Sequence, residues 1–186
     1  ENTLDIINIS YDLQSGSYIK FHEENLKICT QYINCLIDII GKNIISSDTI
    51  IDCGTGEMTT FFPVMENLNF QKAFNFDLSL SRILTGLNYS SNFSNNLVKK
   101  TTSFVGSIDS IPLSDNSVDI AWTSHSLEPN RGKEKDLLNE LLRITRKKII
   151  LFEPSYERSN LICKKRMDEM GYIKNLEKTI NESDGN

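Results

Sequence analysis

The stretch that decides the fold is Thr49-Ile50-Ile51-Asp52-Cys53-Gly54-Thr55-Gly56. A β-branched run favours a strand, and two glycines one residue apart let the backbone turn tightly and approach a ligand closely. Helical spacing resumes from Met58 to Leu68, so the unit reads as strand, glycine turn, helix. Upstream, Leu26, Cys29, Ile33, Leu36, Ile37 and Ile40 recur at steps of three and four, predicting an amphipathic helix from about Phe21 to Ile40 with Gly41 as its stop. Downstream the alternation continues. Strands are expected over Lys72–Phe76, Thr101–Val105, Val118–Thr123 and Ile149–Phe152. Helices are expected over Ser79–Tyr89, around Leu137–Ile144, and from near Tyr156 to about Glu182. Strands alternating with helices imply a doubly wound α/β domain, its mostly parallel sheet covered on both faces. Chemistry in such sheets gathers beyond the carboxyl ends of the strands.

The 186 residues, 39% of them hydrophobic, suffice for one domain with a sizeable core, which excludes a disordered chain and a disulfide-stapled miniprotein. Residues 1–47 read as an N-terminal lid segment and helix, and residues 48–186 as the core. Against 20 Lys and Arg stand 25 Asp and Glu, and the net charge of -5 gives no general attraction to nucleic acid or an anionic membrane. No apolar run reaches the roughly 18 to 20 residues that span a bilayer. Cys29, Cys35, Cys53 and Cys163 form no CxxC pair, and only His22 and His125 could join a metal site. The expectation is reduced thiols, no metal and a cytoplasmic location. The chain opens on Glu1 rather than Met and shows no leader pattern, so residues are expected upstream.

Two strand ends carry the first chemical signal. Asp77 lies 23 residues beyond Gly54, near the distance at which a βαβ unit brings an acid to a nucleoside ribose. Its two oxygens can accept both ribose hydroxyls; the alternative is an N-cap for the next helix, a task open to Ser79 as well. A dinucleotide fingerprint requires glycine at position 59, where Thr stands, and a pyrophosphate would meet Asp52 as an unhelpful charge. A cationic nucleoside suits these residues better.

At these residues the chain resembles the class I S-adenosylmethionine-dependent methyltransferases of small-molecule type, from about Thr49 to Pro154. Ile50 to Gly56 is similar to the family's first motif, with Met58 at its common third glycine, and Asp77 matches the ribose-binding acid. Val105-Gly106-Ser107-Ile108-Asp109-Ser110-Ile111-Pro112 resembles the third motif, with Ser107 at the place of the acid that reaches the adenine amino group. Asp109 substitutes for that acid, or Ser107 accepts a weaker bond. Leu113 to Ile120 looks like the polar turn before an Asp-led fourth strand, with Asp119 structural. The resemblance implies a Rossmann-like fold and S-adenosyl-L-methionine as cofactor. It implies a cradle of Asp52, Cys53, Gly54, Thr55, Gly56, Asp77, Leu78, Ser107, Ile108, Asp109, Ser124 and Tyr18.

Strand four runs out through Ser124-His125-Ser126-Leu127-Glu128-Pro129-Asn130, where the family faces the transferred methyl. His125 is the candidate general base, against a purely structural histidine at a strand end. Glu128 either orients the acceptor or solvates the loop, and Glu153 either lines the cleft or caps a helix. Tyr11 to Tyr18 surrounds Gly16 and resembles a family lid, with Tyr18 touching the cofactor or packing in the core. The Lys164-Lys165-Arg166 cluster beside Asp168 and Glu169 reads as a solvated face. The expected acceptor is a small or sugar-like molecule rather than a nucleic acid, because Leu127-Glu128-Pro129-Asn130 lacks the Pro-Pro-aromatic signature of base methylation. The family's strands six and seven are absent from this chain. A fragment, or a second copy or partner completing the sheet edge, would account for that, and a non-catalytic cofactor-binding subunit is the alternative function.

Overall fold

The computed structural model describes residues 3–183, so the polar end at residues 184–186 lies outside the described residues. Five strands form one parallel sheet in the order β3-β2-β1-β4-β5: β1 (Thr49–Cys53), β2 (Lys72–Asp77), β3 (Thr101–Val105), β4 (Val118–Ser124) and β5 (Thr145–Phe152). The order reverses between β1 and β4. Their carboxyl ends lie side by side, with Asp52 in register with Trp122, and the crevice that ligands use opens there. Strands β1 and β4 are buried on both faces, which makes Ile50, Ile51, Val118, Ile120, Ala121 and Trp122 apolar and sets the buried Asp52, Asp119 and Thr123 apart.

Helix α3 (Leu26–Gly41) buries Ile33, Leu36 and Ile40 against one face of the sheet, together with α4 (Phe61–Glu66), α5 (Leu80–Tyr89) and α6 (Asn95–Lys100). The opposite face packs Ile51, Phe76 and Ala121 against Leu141 and Ile144 of α7 (Glu134–Ile144). At the amino ends of the strands Asp119 accepts from Thr49 N (2.9 Å) and pairs with Arg146 (2.9 Å). Those bonds hold its carboxyl well below the usual range, led by the Arg146 bond, and fix it in a structural role far from the crevice.

The structure revises four expectations. The segment preceding α3 is itself helical, α1 (Leu4–Leu13) and α2 (Ser17–Glu24) meeting at Gly16 in a left-handed conformation (φ 95°). Helix α6 adds an element between the expected helix ending at Tyr89 and the strand beginning at Thr101, and Ser94 caps it by accepting from Leu97 N. The expected terminal helix is two, α8 (Leu161–Met170) and α9 (Leu176–Ser183), since Gly171 takes the left-handed position that ends α8 (φ 69°). The helix after the glycine turn begins at Phe61, later than expected, because Met58 itself sits at φ 60°. Met58 thus keeps the glycine-like backbone of the third motif position and turns its fully buried side chain under α5. Gly86 makes that room: a Cβ there would lie 2.7 Å from Met58 Cγ.

Candidate functional site

The turn after β1 is held by the neighbouring strand. Gly54 N and Thr55 N both donate to Phe76 O at 3.0 and 2.8 Å, and the glycines adopt φ 86° and 56°. Gly54 is closed in from above, whereas a Cβ at Gly56 would meet nothing within 4 Å. The backbone at Gly56 therefore borders open space. Asp77, buried at the tip of β2, accepts from Gly56 N through Oδ2 (2.8 Å) and from Ser79 N through Oδ1 (2.9 Å). It ties the two strand-end turns together, and each oxygen keeps a lone pair for a ligand. The helix-capping task falls to Ser79, whose Oγ accepts from Arg82 N at 3.1 Å.

Asp52 is 2% exposed on the pocket wall, and its Oδ1 has no hydrogen-bond partner. Burial pushes its carboxyl up to about 8, and the neighbouring Asp77 and Glu153 carboxylates push the same way. Glu153, at the tip of β5, is raised to about 7, chiefly by burial. Asp77 is raised by the same cause. Asp52 and Asp77 line the crevice, with the Glu153 carboxylate within electrostatic reach of Asp52, and the orphaned Asp52 oxygen makes a site that a cation would stabilise. Glu153 also accepts from Ser126 N (3.0 Å) and Leu127 N (3.3 Å), so it shapes the loop after β4 rather than capping a helix. Cys53 stands apart from the other cradle residues, because its side chain is turned into the core beneath the turn.

On the far side of the turn, Leu78, Gly106, Ser107, Ile108 and Asp109 line the pocket. Ser107 and Ser110 form an isolated bridge that folds this loop back on itself. Asp109 is ion-paired with Lys133 at 3.6 Å, so it is partly committed to α7's entry.

At the end of β4 the chain leaves the sheet through His125 in a left-handed conformation (φ 56°), pinned by His125 N donating to Phe152 O at 3.1 Å. Such backbone strain on a non-glycine residue persists only where surrounding contacts impose it. The turn brings His125 Nδ1 to 2.5 Å from Glu128 Oε1. That bond raises the imidazole pKa above its usual value, outweighing partial burial. Beside them Tyr32 of α3 shares a hydrogen bond with Ser124 Oγ (2.8 Å) and sets its ring 5.9 Å from the His125 ring. Tyr32 lies on the apolar stripe of α3, three residues after Cys29 and four before Leu36, where an aromatic reads as core packing.

Helices α1 and α2 are tied down beside the crevice through four contacts. Asp12 accepts from Ser79 Oγ (2.5 Å), Ser15 Oγ meets Thr85 Oγ1 (2.8 Å), and Glu57 accepts from Gly16 N (2.8 Å) and Ile19 N (2.9 Å) at the start of α2. The fourth is Arg82, whose guanidinium lies 3.9 Å from the ring centre of Tyr11 and 4.8 Å from that of Tyr18. Tyr18 is half exposed and lines the pocket. Neither Glu57 nor Arg82 was signalled by sequence, since a charged residue in a helical stretch is ordinarily solvated. Arg166 of the basic cluster is exposed and borders the pocket, Lys165 pairs with Glu169 at 3.9 Å, and Lys164 lies over the Tyr156 ring at 5.5 Å.

Helices α1 to α3, the strand ends and α8 together line an open cavity of about 1000 Å³. That is at the upper end of the roughly 300 to 1,000 Å³ of ligand pockets and leaves space for two small molecules. No helix among the described residues is long and apolar enough to cross a membrane.

This architecture, with its glycine turn at the switch point, is the class I S-adenosylmethionine-dependent methyltransferase fold. A geranyl diphosphate methyltransferase solved with geranyl diphosphate and sinefungin superposes with a TM-score of 0.65 at 15% identity, over 82% of this chain and 58% of that one. The geranyl diphosphate C-methyltransferase of Streptomyces coelicolor, solved with S-adenosyl-L-homocysteine, gives 0.64 at 14% identity over 82% and 56%. A Haloferax volcanii methyltransferase in complex with its Trm112 activator gives 0.57 at 19% identity over 73% and 55%. The chain thus spans little more than half the length of these structures. No family model matches the sequence, and no curated protein does.

Proposed function

We propose that this chain is the cofactor-binding core of an S-adenosylmethionine-dependent methyltransferase acting on a small-molecule acceptor. The observation that carries the reading is the buried, unpartnered Asp52 Oδ1 beside Gly54-Thr55-Gly56, with Asp77 and Glu153 adding negative charge around it. A cationic amino group and sulfonium suit that environment, and a pyrophosphate does not. In this reading Asp52 and the open backbone at Gly56 hold the methionine end, Asp77 accepts from the ribose hydroxyls, and Leu78, Ser107 and Ile108 border the adenine. Bound there, the cofactor supplies a methyl group on sulfur that is already activated toward a nucleophile.

The chain's own contribution is then positioning and proton removal. With Nδ1 engaged by Glu128, His125 keeps Nε2 to take the proton from an acceptor O–H or N–H as the new bond to carbon forms. Glu128 stabilises the imidazolium that results. Tyr32 holds Ser124 in place beneath the reacting groups. Four free cysteines accord with a reducing, cytoplasmic setting, which is part of the same proposal.

Calorimetric titration with S-adenosylhomocysteine tests the reading. Asp77→Ala is expected to weaken binding by about 1.5 to 3 kcal/mol, the worth of a charge-assisted hydrogen bond. Equal affinity of the two proteins would remove Asp77 from the ribose.

A further inference from the structure

Arg82 is 4% exposed, lines the pocket, and offers Nε and Nη2 with no hydrogen-bond partner. A buried guanidinium with two unmet donors is costly and calls for an explanation. Its neighbours do not supply one. Asp77 is occupied by Gly56 N and Ser79 N, and Asp12 by Ser79 Oγ; both lie close enough to feel the charge of Arg82, yet neither pairs with it. The rings of Tyr11 and Tyr18 hold the plane of the group from the lid side without accepting from its in-plane N–H bonds. Nε and Nη2 form one edge of the guanidinium, and their N–H bonds run parallel. That edge matches two oxygens of a carboxylate or phosphate.

We propose that Arg82, held against Tyr11 and Tyr18, is an oxyanion-binding subsite of this pocket that takes a carboxylate or phosphate group of a ligand. The inference deepens the methyltransferase reading and rests on it for one point, the identity of the molecule carrying the anion. Tyr11 lies within electrostatic reach of both Arg82 and Glu128. An acceptor with its nucleophile at His125 and an acidic group several bonds away would span that interval, and a small acidic metabolite fits where a neutral sugar would leave the fork unmet. The methionine carboxylate of the cofactor is the other source of the same chemistry.

Inorganic phosphate is the probe, its ³¹P line width measured with the full chain at constant ionic strength. Wild-type protein is expected to broaden the line. Arg82→Gln should weaken phosphate binding by about 10- to 150-fold, the loss of a charged, bidentate contact. Arg82→Lys keeps the charge without the planar fork and should fall between the two, which carries the test if the glutamine variant fails to fold. Broadening that persists with saturating S-adenosylhomocysteine assigns the anion to the acceptor, and displacement by it assigns the anion to the cofactor's carboxylate. Phosphate binding that depends on Arg82 in a protein that ignores S-adenosylhomocysteine would uphold the subsite while ending the methyltransferase reading. Line widths that are equal in wild type and both variants, or no broadening by wild type, would overturn the subsite.

Discussion

Replacing His125 by alanine is expected to lower kcat by about 100- to 10,000-fold while S-adenosylhomocysteine affinity barely changes. The residue is the outermost of the β4 tip, its ring open to the pocket, its Nδ1 held 2.5 Å from Glu128 and its backbone forced to φ 56°. A histidine serving only the backbone would need neither the carboxylate nor the ring exposure. Only the neutral imidazole accepts a proton, and Glu128 raises its pKa above the usual value. The rate should therefore rise with pH through that elevated pKa, and Glu128→Gln should move the rising limb to lower pH. Activity is read with isotopically labelled S-adenosylmethionine and small-molecule extracts. Undiminished methyl transfer by His125→Ala would return the histidine to a structural role.

Gly54→Ala carries the second large effect, on folding and on binding together. An added Cβ would lie 2.3 Å from Ser126 Cβ and 3.5 Å from Ile108 Cδ1, at a backbone angle of φ 86°. Ser126 cannot give way, because its N donates to Glu153 (3.0 Å) and its Oγ to Cys53 O (2.7 Å). The left-handed backbone costs about 1 to 2 kcal/mol and the overpacking about 1 to 3, so a loss of roughly 2 to 5 kcal/mol is expected. In a chain of this size that lowers the melting temperature by about 5 to 15 °C. Since the displaced loop also borders the cradle, S-adenosylhomocysteine binding should vanish with it. A variant that melts and binds like wild type would show that the turn does not position the site.

The fold was legible because its deciding signals are local. A β-branched run into Gly-Thr-Gly, repeated apolar strands and a helix at three-and-four spacing each report one element, and parallel strands buried on both faces leave little choice of residue. Asp52, Asp77 and His125 were legible for the same reason, standing at strand ends. What stayed hidden depends on distant partners. Met58 fills the third glycine position only because Gly86, 28 residues later, vacates the space its side chain needs. Glu57 and Arg82 look like solvent-facing charges until α1 and α2 pack against them, and Tyr32 gains its place through a hydrogen bond to a residue 92 positions away. Pairwise tertiary contacts of that kind leave no periodic trace in one sequence.

In the proposed reading Asp52 and Asp77, at the tips of β1 and β2, bind a cation, with Glu153 at the tip of β5 within electrostatic reach. At pH 7 a carboxyl raised to about 8, as at Asp52, is mostly protonated, and one raised to about 7, as at Glu153, is about half so. A bound cation draws both back toward their ionised forms, so binding must release protons and tighten as pH rises from 6 to 8. Calorimetric titration with S-adenosylmethionine at pH 7, in two buffers of different ionisation enthalpy, measures that release directly. Binding is expected, with heats that differ between the buffers in the direction of proton release. Absence of binding, or identical heats in the two buffers, would contradict that reading.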